Sequence, residues 1–417
     1  AVKPEAADVK NFDAAVISPG WRQDHPLVVK ILNSSLELLN EIDIAWKLRS
    51  SRAPRQKWIA VTGTNGKTTT VEMTSAILKA AGIKATACGN VGDTVIDAVD
   101  RDDHYEVLVL ELSSFQLHWA EQAEFQAAAI LNIADDHLDW HGSFDAYAAA
   151  KFSILDRTDV AILNADDGAV VTRANRFKDR KVFFSLNTPA PGEIGVVEEL
   201  LVDRAFVNDP QQASMICELV DIVPTVPHNV SNALASAGLA RAMNVPHDVI
   251  QKALQAFRPG RHRIETIHEA DGITWVDDSK ATNPHATAAS LMSHLSVVWI
   301  AGGLAKGADM DSMVQRCASR MKAAILIGED RGLIEAALIK HAPTVPRILI
   351  DSPVDYTRGG DSNSLMESIV SAASKHAESG DTVLLAPACA SMDQFISYAD
   401  RGDRFSAAVR KVIAHEA

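Results

Sequence analysis

Residues 58–82, WIAVTGTNGKTTTVEMTSAILKAAG, read as an apolar strand, a glycine loop and a helix in direct succession. That is the context in which a phosphate-binding loop is credible, because backbone N–H groups at a helix N-terminus attract anions. Gly63, Thr64, Asn65 and Gly66 are expected to turn their amides toward phosphate oxygens, with Lys67 on the outer phosphates, Thr68 on Mg²⁺ and Thr69 completing the loop. The long form of the motif has a glycine five positions before Gly66, where Val61 stands. An ordinary glycine-rich strand-to-helix turn is the competing reading.

Outward from this stretch, EVLVLELSS, AAAILNI, DVAILNADD and KVFFSL repeat the short apolar run, with helical segments between them. Near-continuous apolar strands alternating with helices indicate a mostly parallel sheet covered on both faces. Before it, FDAAVISPG (12–20) reads as a strand closed by a Pro-Gly turn, and SSRAPRQ (50–56) as a polar linker. After it comes a helical block from His228 to Phe257, the breaker-rich RPGRHR, and a second strand series: ITWVDD, SVVWIAGG, AAILIGE, RILID and TVLLAP. The expected domains are 1–53, the tail of an α/β domain, 54–258, carrying the loop, and 259–417.

Composition narrows the classes. A chain of 417 residues is too long for one ordinary core. A net charge of -14 argues against non-specific nucleic-acid binding, so any anionic ligand must meet cations gathered locally. No apolar run approaches the roughly 18–20 residues that span a bilayer, and AVKPEAADVK lacks a signal peptide's apolar core, so no membrane role and a cytoplasmic location are expected. Cys88, Cys217, Cys317 and Cys389 have no C-x-x-C spacing and read as reduced thiols.

Several further residues carry chemistry. Glu111 in LVLELSSFQL ends a strand, where open α/β sheets place ligands, and is either a metal carboxylate or a satisfied loop residue. His137 lies among Asp135, Asp136 and Asp139, a plausible metal ligand or else a solvated acidic loop. Ser143 is placed to cap a helix that carries Lys151 among alanines. In VPHNVSNALASAGLA, Asn229 and Asn232 offer amides to an adenine edge, with Asn229 as a helix cap the alternative. RPGRHRIE and WVDDSKATNPHAT supply Arg263, Asp278, Lys280, Thr282 and Asn283, the Asp-Ser-Lys loop being an anion or ribose site.

The T-G-T-N-G-K-T loop resembles that of the Mur ligase and folylpolyglutamate synthetase superfamily, whose short form needs no glycine at position 61. L-E-L-S-S-F-Q-L, D-H-x-D, A-A-K, D-S-K-A-T-N and P-A-C-A-S-x-D-Q-F follow in order, and the last two resemble the D-glutamate-adding Mur ligases. The resemblance implies a three-domain α/β architecture: a partial N-terminal Rossmann-like domain ending in Ser18-Pro19-Gly20, a central P-loop ATPase domain and a C-terminal Rossmann-like domain. It implies an ATP-dependent amide ligase that adds D-glutamate to UDP-N-acetylmuramoyl-L-alanine through an acyl phosphate, binds no nucleic acid and works as a monomer. Lys67, His137 and Lys151 would be catalytic, with Thr68, Glu111, His137 and a carbamylated Lys151 at two Mg²⁺ sites. Asn229, Asn232, Arg263, Asp278 and Lys280 would join the loop around ATP. Ser18, Asn90, Ser113 and Gln116 would meet the muramoyl nucleotide, and Thr282, Lys306, Ser391 and Tyr398 the D-glutamate; Tyr398 stands where these relatives usually have Phe. The alternatives are another amide ligase of the superfamily and a P-loop nucleotide switch that ligates nothing.

Overall fold

The computed structural model describes Val9 and residues 12–209, 211–351 and 362–416, and the chain divides into two units, Ala1–Arg258 and Pro259–Ala417. In the first, β1 (Ala14–Val16) and β2 (Glu37–Leu39) form a small parallel pair, with the helix Pro26–Leu32 between them. The helix Glu41–Arg52 follows, capped by the Asn40 side chain, which accepts from the Ile42 and Asp43 amides. It covers the first three residues of the stretch expected to be a linker: Ser50–Arg52 are helical, and Arg49 Nε donates to Gln56 O at 2.6 Å. The polar composition there reflects an exposed helix end rather than loose chain.

The main sheet of this unit has nine strands: β3 (Lys57–Thr62), β4 (Ala85–Gly89), β5 (Val107–Glu111), β6 (Ala127–Ile130), β7 (Val160–Asn164), β8 (Arg180–Phe184), β9 (Ile194–Val197), β10 (Leu200–Asp203) and β11 (Ser214–Glu218). Their order is β11-β10-β9-β8-β7-β6-β3-β5-β4, parallel from β4 to β9 and antiparallel beyond. Alternate residues of β3 serve opposite faces. Ile59 and Val61 pack with Val71 and Ile77 of the helix Lys67–Ala80, while Trp58 and Ala60 pack with Ile42 and Ala45 on the other side. Burial on both faces is why the strand is apolar from Trp58 to Val61, each large side chain contributing about 1.5–3 kcal/mol. Chain order reverses at β3, with β5 and β4 on one flank and β6 onward on the other, and such a switch opens a crevice at the strands' carboxyl ends.

In the second unit β12 (Glu265–Ala270), β13 (Ile273–Asp277), β14 (Val297–Gly302), β15 (Met321–Ile327), β16 (Arg347–Leu349) and β17 (Thr382–Leu385) are ordered β12-β13-β17-β14-β15-β16. Only β12 is antiparallel, and β17, last in sequence, enters the middle of the sheet. The segments leaving β13, β17, β14 and β15 are therefore neighbours.

The expected helical block is two helices, Pro227–Ala242 and His247–Ala256, parted by Asn244 at φ 62 and by Pro246. All four cysteines are buried, and burial pushes the Cys88, Cys217 and Cys389 thiols up to about 12. Among the described residues no helix is long and apolar enough to cross a membrane.

Candidate active site

The loop after β3 is held by neutral amides. Asn132, just beyond β6, accepts from Thr64 N through its carbonyl (2.9 Å) and from Asn65 N through Oδ1 (2.8 Å), and its Nδ2 donates to Asn65 O (3.0 Å). These bonds correct the expectation for Thr64 and Asn65, whose amides are engaged within the protein rather than turned to a phosphate. Gly66, at φ 84, is the N-cap of the helix Lys67–Ala80 and has no capping side chain, and a Cβ there would fall on Asn232 Oδ1. The first-turn amides of such a helix have no intrahelical acceptor, which leaves an anion-seeking end. Lys67 Nζ donates back to Gly63 O and Thr64 O, both at 2.9 Å. Thr64 Oγ1 lies 2.9 Å from Tyr147 OH, beneath the loop.

Three expected metal-site residues come from a strand end, a helix and the residue before a short helix. Glu111 is buried at the end of β5; Oε1 accepts from Asn90 Nδ2 at 2.8 Å, while Oε2 is buried with no hydrogen-bond partner. An orphaned carboxylate oxygen costs free energy unless something meets it, and a hard cation such as Mg²⁺ takes oxygen ligands. Lys151, 2% exposed on the helix Phe144–Phe152 that Ser143 caps, donates to Gly63 O at 2.8 Å. Burial, then the charge of Lys67, hold its amine well below the usual lysine range, against the weaker pull of Asp136 and Glu111. His137 adopts the left-handed conformation (φ 52, ψ 30) before the short helix Leu138–His141, with Nε2 3.6 Å from Asp136 Oδ2. This donor set fits a divalent cation.

The expected substrate residues of this unit are arranged differently. Ser113 and Gln116 form a capping box on the helix Ser114–Trp119, each side chain bonding the other's backbone amide. Ser18 is exposed, and its carbonyl accepts from Trp21 N at 3.1 Å to close a turn. Asn90 is drawn onto Glu111. Asn229 is no cap: Val226 holds that position with Pro227 at the first turn, and Asn229 Nδ2 donates to Pro224 O at 3.0 Å. Asn232 lies against the phosphate loop, as the Gly66 contact requires.

In the second unit the loops are sewn together. Leu304 and Ala390 exchange both backbone bonds at 2.9 Å, and Ala388 N donates to Ala281 O at 3.0 Å. These bonds bring the segments carrying Thr282, Lys306 and Ser391 side by side. Lys306 at φ 51 and Ala388 at φ 60 are left-handed, a strain that persists only where the surroundings enforce it. Asp278 is buried, and burial pushes its carboxyl up to about 7. Lys280 Nζ lies 4.0 Å from the centre of the Tyr398 ring, and Arg263 is half-buried between left-handed His262 and Ile264. Tyr398 thus offers a ring face to a cation, a role that phenylalanine would also fill.

Two supports escaped the sequence. Arg401 is fully buried: Nε donates to Ser279 Oγ at 2.9 Å, Nη2 to Ser279 O at 3.0 Å and both terminal nitrogens to Cys389 O at 3.3 Å. His262 Nδ1 meets Asp277 Oδ2 at 2.6 Å, and Asp277 Oδ1 accepts from Ser279 N at 2.9 Å. The hydrogen bond to Asp277 raises the His262 pKa against burial. A cationic side chain in an otherwise amphipathic helix start, D-R-G-D-R-F, was the only signal for Arg401.

Residues 61–240 match the Mur ligase middle domain, and residues 262–389 match the glutamate ligase domain of the Mur ligases. The chain is 49% identical to the UDP-N-acetylmuramoylalanine–D-glutamate ligase of Streptomyces coelicolor over 405 residues, 95% of this chain and 84% of that one. It is 48% identical to the enzyme of the same name from Thermobifida fusca, again over 95% of this chain and 84% of that one. Among solved structures it is similar to a MurF ligase from Thermotoga maritima in complex with ADP, with a TM-score of 0.64 at 17% identity over 92% of this chain and 87% of that one. The last likeness concerns the fold alone.

Proposed function

The chain belongs to the Mur ligase family, and from that premise we propose that it joins D-glutamate to UDP-N-acetylmuramoyl-L-alanine with consumption of ATP. This is an amide-forming step in the making of peptidoglycan precursors, carried out by a cytoplasmic monomer. The observation that carries the reading is the meeting of three features at the carboxyl ends of β3 and β5: a phosphate loop, the orphaned Glu111 oxygen and the buried Lys151, bonded to Gly63 O.

A carboxylate is a poor acyl donor. The γ-phosphoryl group of ATP passes to an oxygen of the L-alanine carboxylate, giving an acyl phosphate and ADP. The D-glutamate amine then attacks the acyl carbon, and the tetrahedral intermediate expels phosphate to leave the amide. The loop Gly63–Thr69 orients the nucleotide, and Lys67 exchanges its bonds to Gly63 O and Thr64 O for phosphate oxygens. Mg²⁺ held by Thr68, Glu111, His137 and Lys151 would supply the positive charge that lets two anions approach. A neutral Lys151 amine adds to CO₂ through its lone pair and loses a proton, leaving a carbamate oxygen as ligand, and its depressed pKa favours that neutral form.

The remaining assignments follow the domains 1–53, 54–258 and 259–417. Asn229, Asn232, Arg263, Asp278 and Lys280 serve ATP; Ser18, Asn90, Ser113 and Gln116 the UDP-sugar; Thr282, Lys306, Ser391 and Tyr398 the D-glutamate. Phosphate release on a panel of amino acids tests the reading. With the UDP-sugar present, D-glutamate stimulates release and others do not. Stimulation by another amino acid points to a different ligase, and release indifferent to any amino acid points to a nucleotide switch.

A further inference from the structure

The turn Leu138–His141 is gripped from two directions. Trp140 Nε1 donates to Gly20 O at 3.0 Å and Arg22 Nη1 donates to Asp139 O at 2.7 Å, so the Ser18–Arg22 turn is fastened to it across well over a hundred residues of sequence. On the other side the Phe115 ring lies 4.7 Å from His137, 4.9 Å from Trp140 and 5.6 Å from His141, parallel to the last. His141, buried, closes the grip with Nε2 2.9 Å from Ser114 Oγ. Between these holds sits His137 in a left-handed conformation, which a non-glycine residue keeps only when its neighbours over-determine it.

We propose that Trp140 is a positioning residue that couples occupancy of the Ser18–Arg22 turn by the UDP-sugar to the placement of His137. It acts through its bond to Gly20 O and its ring contacts with Phe115 and His141. The proposal rests on the ligase reading above. The turn offers the sugar nucleotide exposed Ser18, and Trp140 reaches the carbonyl two residues on, so a ligand that orders the turn also sets the indole. Phe115 follows closely on Glu111 in sequence, so the same ring ties the histidine to the segment that carries that carboxylate.

Trp140→Phe on the full chain keeps a ring and removes the N–H. Calorimetry measures UDP-N-acetylmuramoyl-L-alanine binding with and without Mg²⁺ and ADP, and the half-saturating Mg²⁺ for ADP binding. The expected result is a loss of UDP-sugar affinity of about 3- to 10-fold, the worth of one hydrogen bond, with the Mg²⁺ half-point moved upward. Trp119→Phe is the control, because that indole N–H is buried without a partner in this structure, and it leaves both quantities within about twofold. Arg22→Ala, at an exposed side chain, shifts both quantities the same way should Trp140→Phe fold poorly. If folded Trp140→Phe or Arg22→Ala matches the Trp119→Phe control in both quantities, the coupling is overturned. If the unaltered chain binds no UDP-sugar, the ligase reading falls instead, and the Mg²⁺ half-point alone decides whether Trp140 positions His137.

Discussion

The loops Gly63–Lys67 and Asp278–Lys280 both leave the carboxyl end of a buried parallel strand and both lead toward a helix, yet they are held by opposite means. Neutral groups brace the first: Asn132 bonds its backbone, Tyr147 its threonine, and Asn232 fills the space beside Gly66. Buried ions brace the second, with Arg401 on Ser279 and Cys389 and His262 on Asp277. The difference lies in what each loop leaves available. With amides as scaffold, the cations Lys67 and Lys151 rest on carbonyls that they can exchange for a more charged partner. With ions as scaffold, the charges are spent on geometry.

Removing a cation that contacts each loop separates the two kinds of bracing most strongly. Lys67→Ala and Lys151→Ala are expected to lower D-glutamate-dependent phosphate release by about 10²- to 10³-fold, with little change in thermal midpoint. Short-chain carboxylic acids restore part of the activity to Lys151→Ala and none to Lys67→Ala; rescue of both would deny the carbamate its place. Arg401→Met does the reverse and acts on stability first. It strands Ser279 O and Cys389 O, at about 1–3 kcal/mol for each buried acceptor left without a donor, and a lowered urea midpoint reports it. An unchanged midpoint would refute the brace.

Gly66→Ala forces a Cβ into a left-handed position and onto Asn232. About 1–2 kcal/mol is expected, read as weaker ATP binding, with the companion change Asn232→Gly recovering some of it if contact rather than conformation dominates. The remaining effect is on pH. Asp278 binds its proton more tightly folded than unfolded, so stability falls as pH rises from the ordinary aspartate value through about 7. His262, whose folded pKa is raised, adds stability that is full below about 6.5 and fades as pH climbs through the folded value. Asp278→Asn should flatten the first window and His262→Gln the second in urea titrations across pH. Parallel profiles for all three proteins would show that neither group titrates as argued.

What was legible in the sequence follows from the range of the forces involved. The strand β3, its loop and the helix after it are a local pattern, in which period, glycine and lysine all lie within one stretch. Ser143 capped its helix as expected, since a cap needs only the next three residues. Strand β4, ATACG, lacks an apolar run, and β9, β10 and β11 form an antiparallel margin with none of the helix alternation that marked the rest. Asn132 and Arg401 could not be seen because their partners lie 67 and 122 residues away. Glu111 could be placed at a strand end, but not its one bare oxygen, which depends on Asn90 having taken the other. Ser113 and Gln116 were expected to meet substrate, while local geometry gives them a second occupation as a capping box.

The buried cysteines have a use that none of this chemistry requires. Cys88 and Cys217 lie in one unit, Cys317 and Cys389 in the other, and a thiol sealed in the core and pushed up to about 12, as three of them are, is a poor nucleophile. An alkylating reagent therefore reads the chain as two clocks that start only when the surrounding core opens. With peptide-resolved labelling, each half of the unaltered protein reports its own opening, and the order in which the pairs react dates the loosening of one unit against the other.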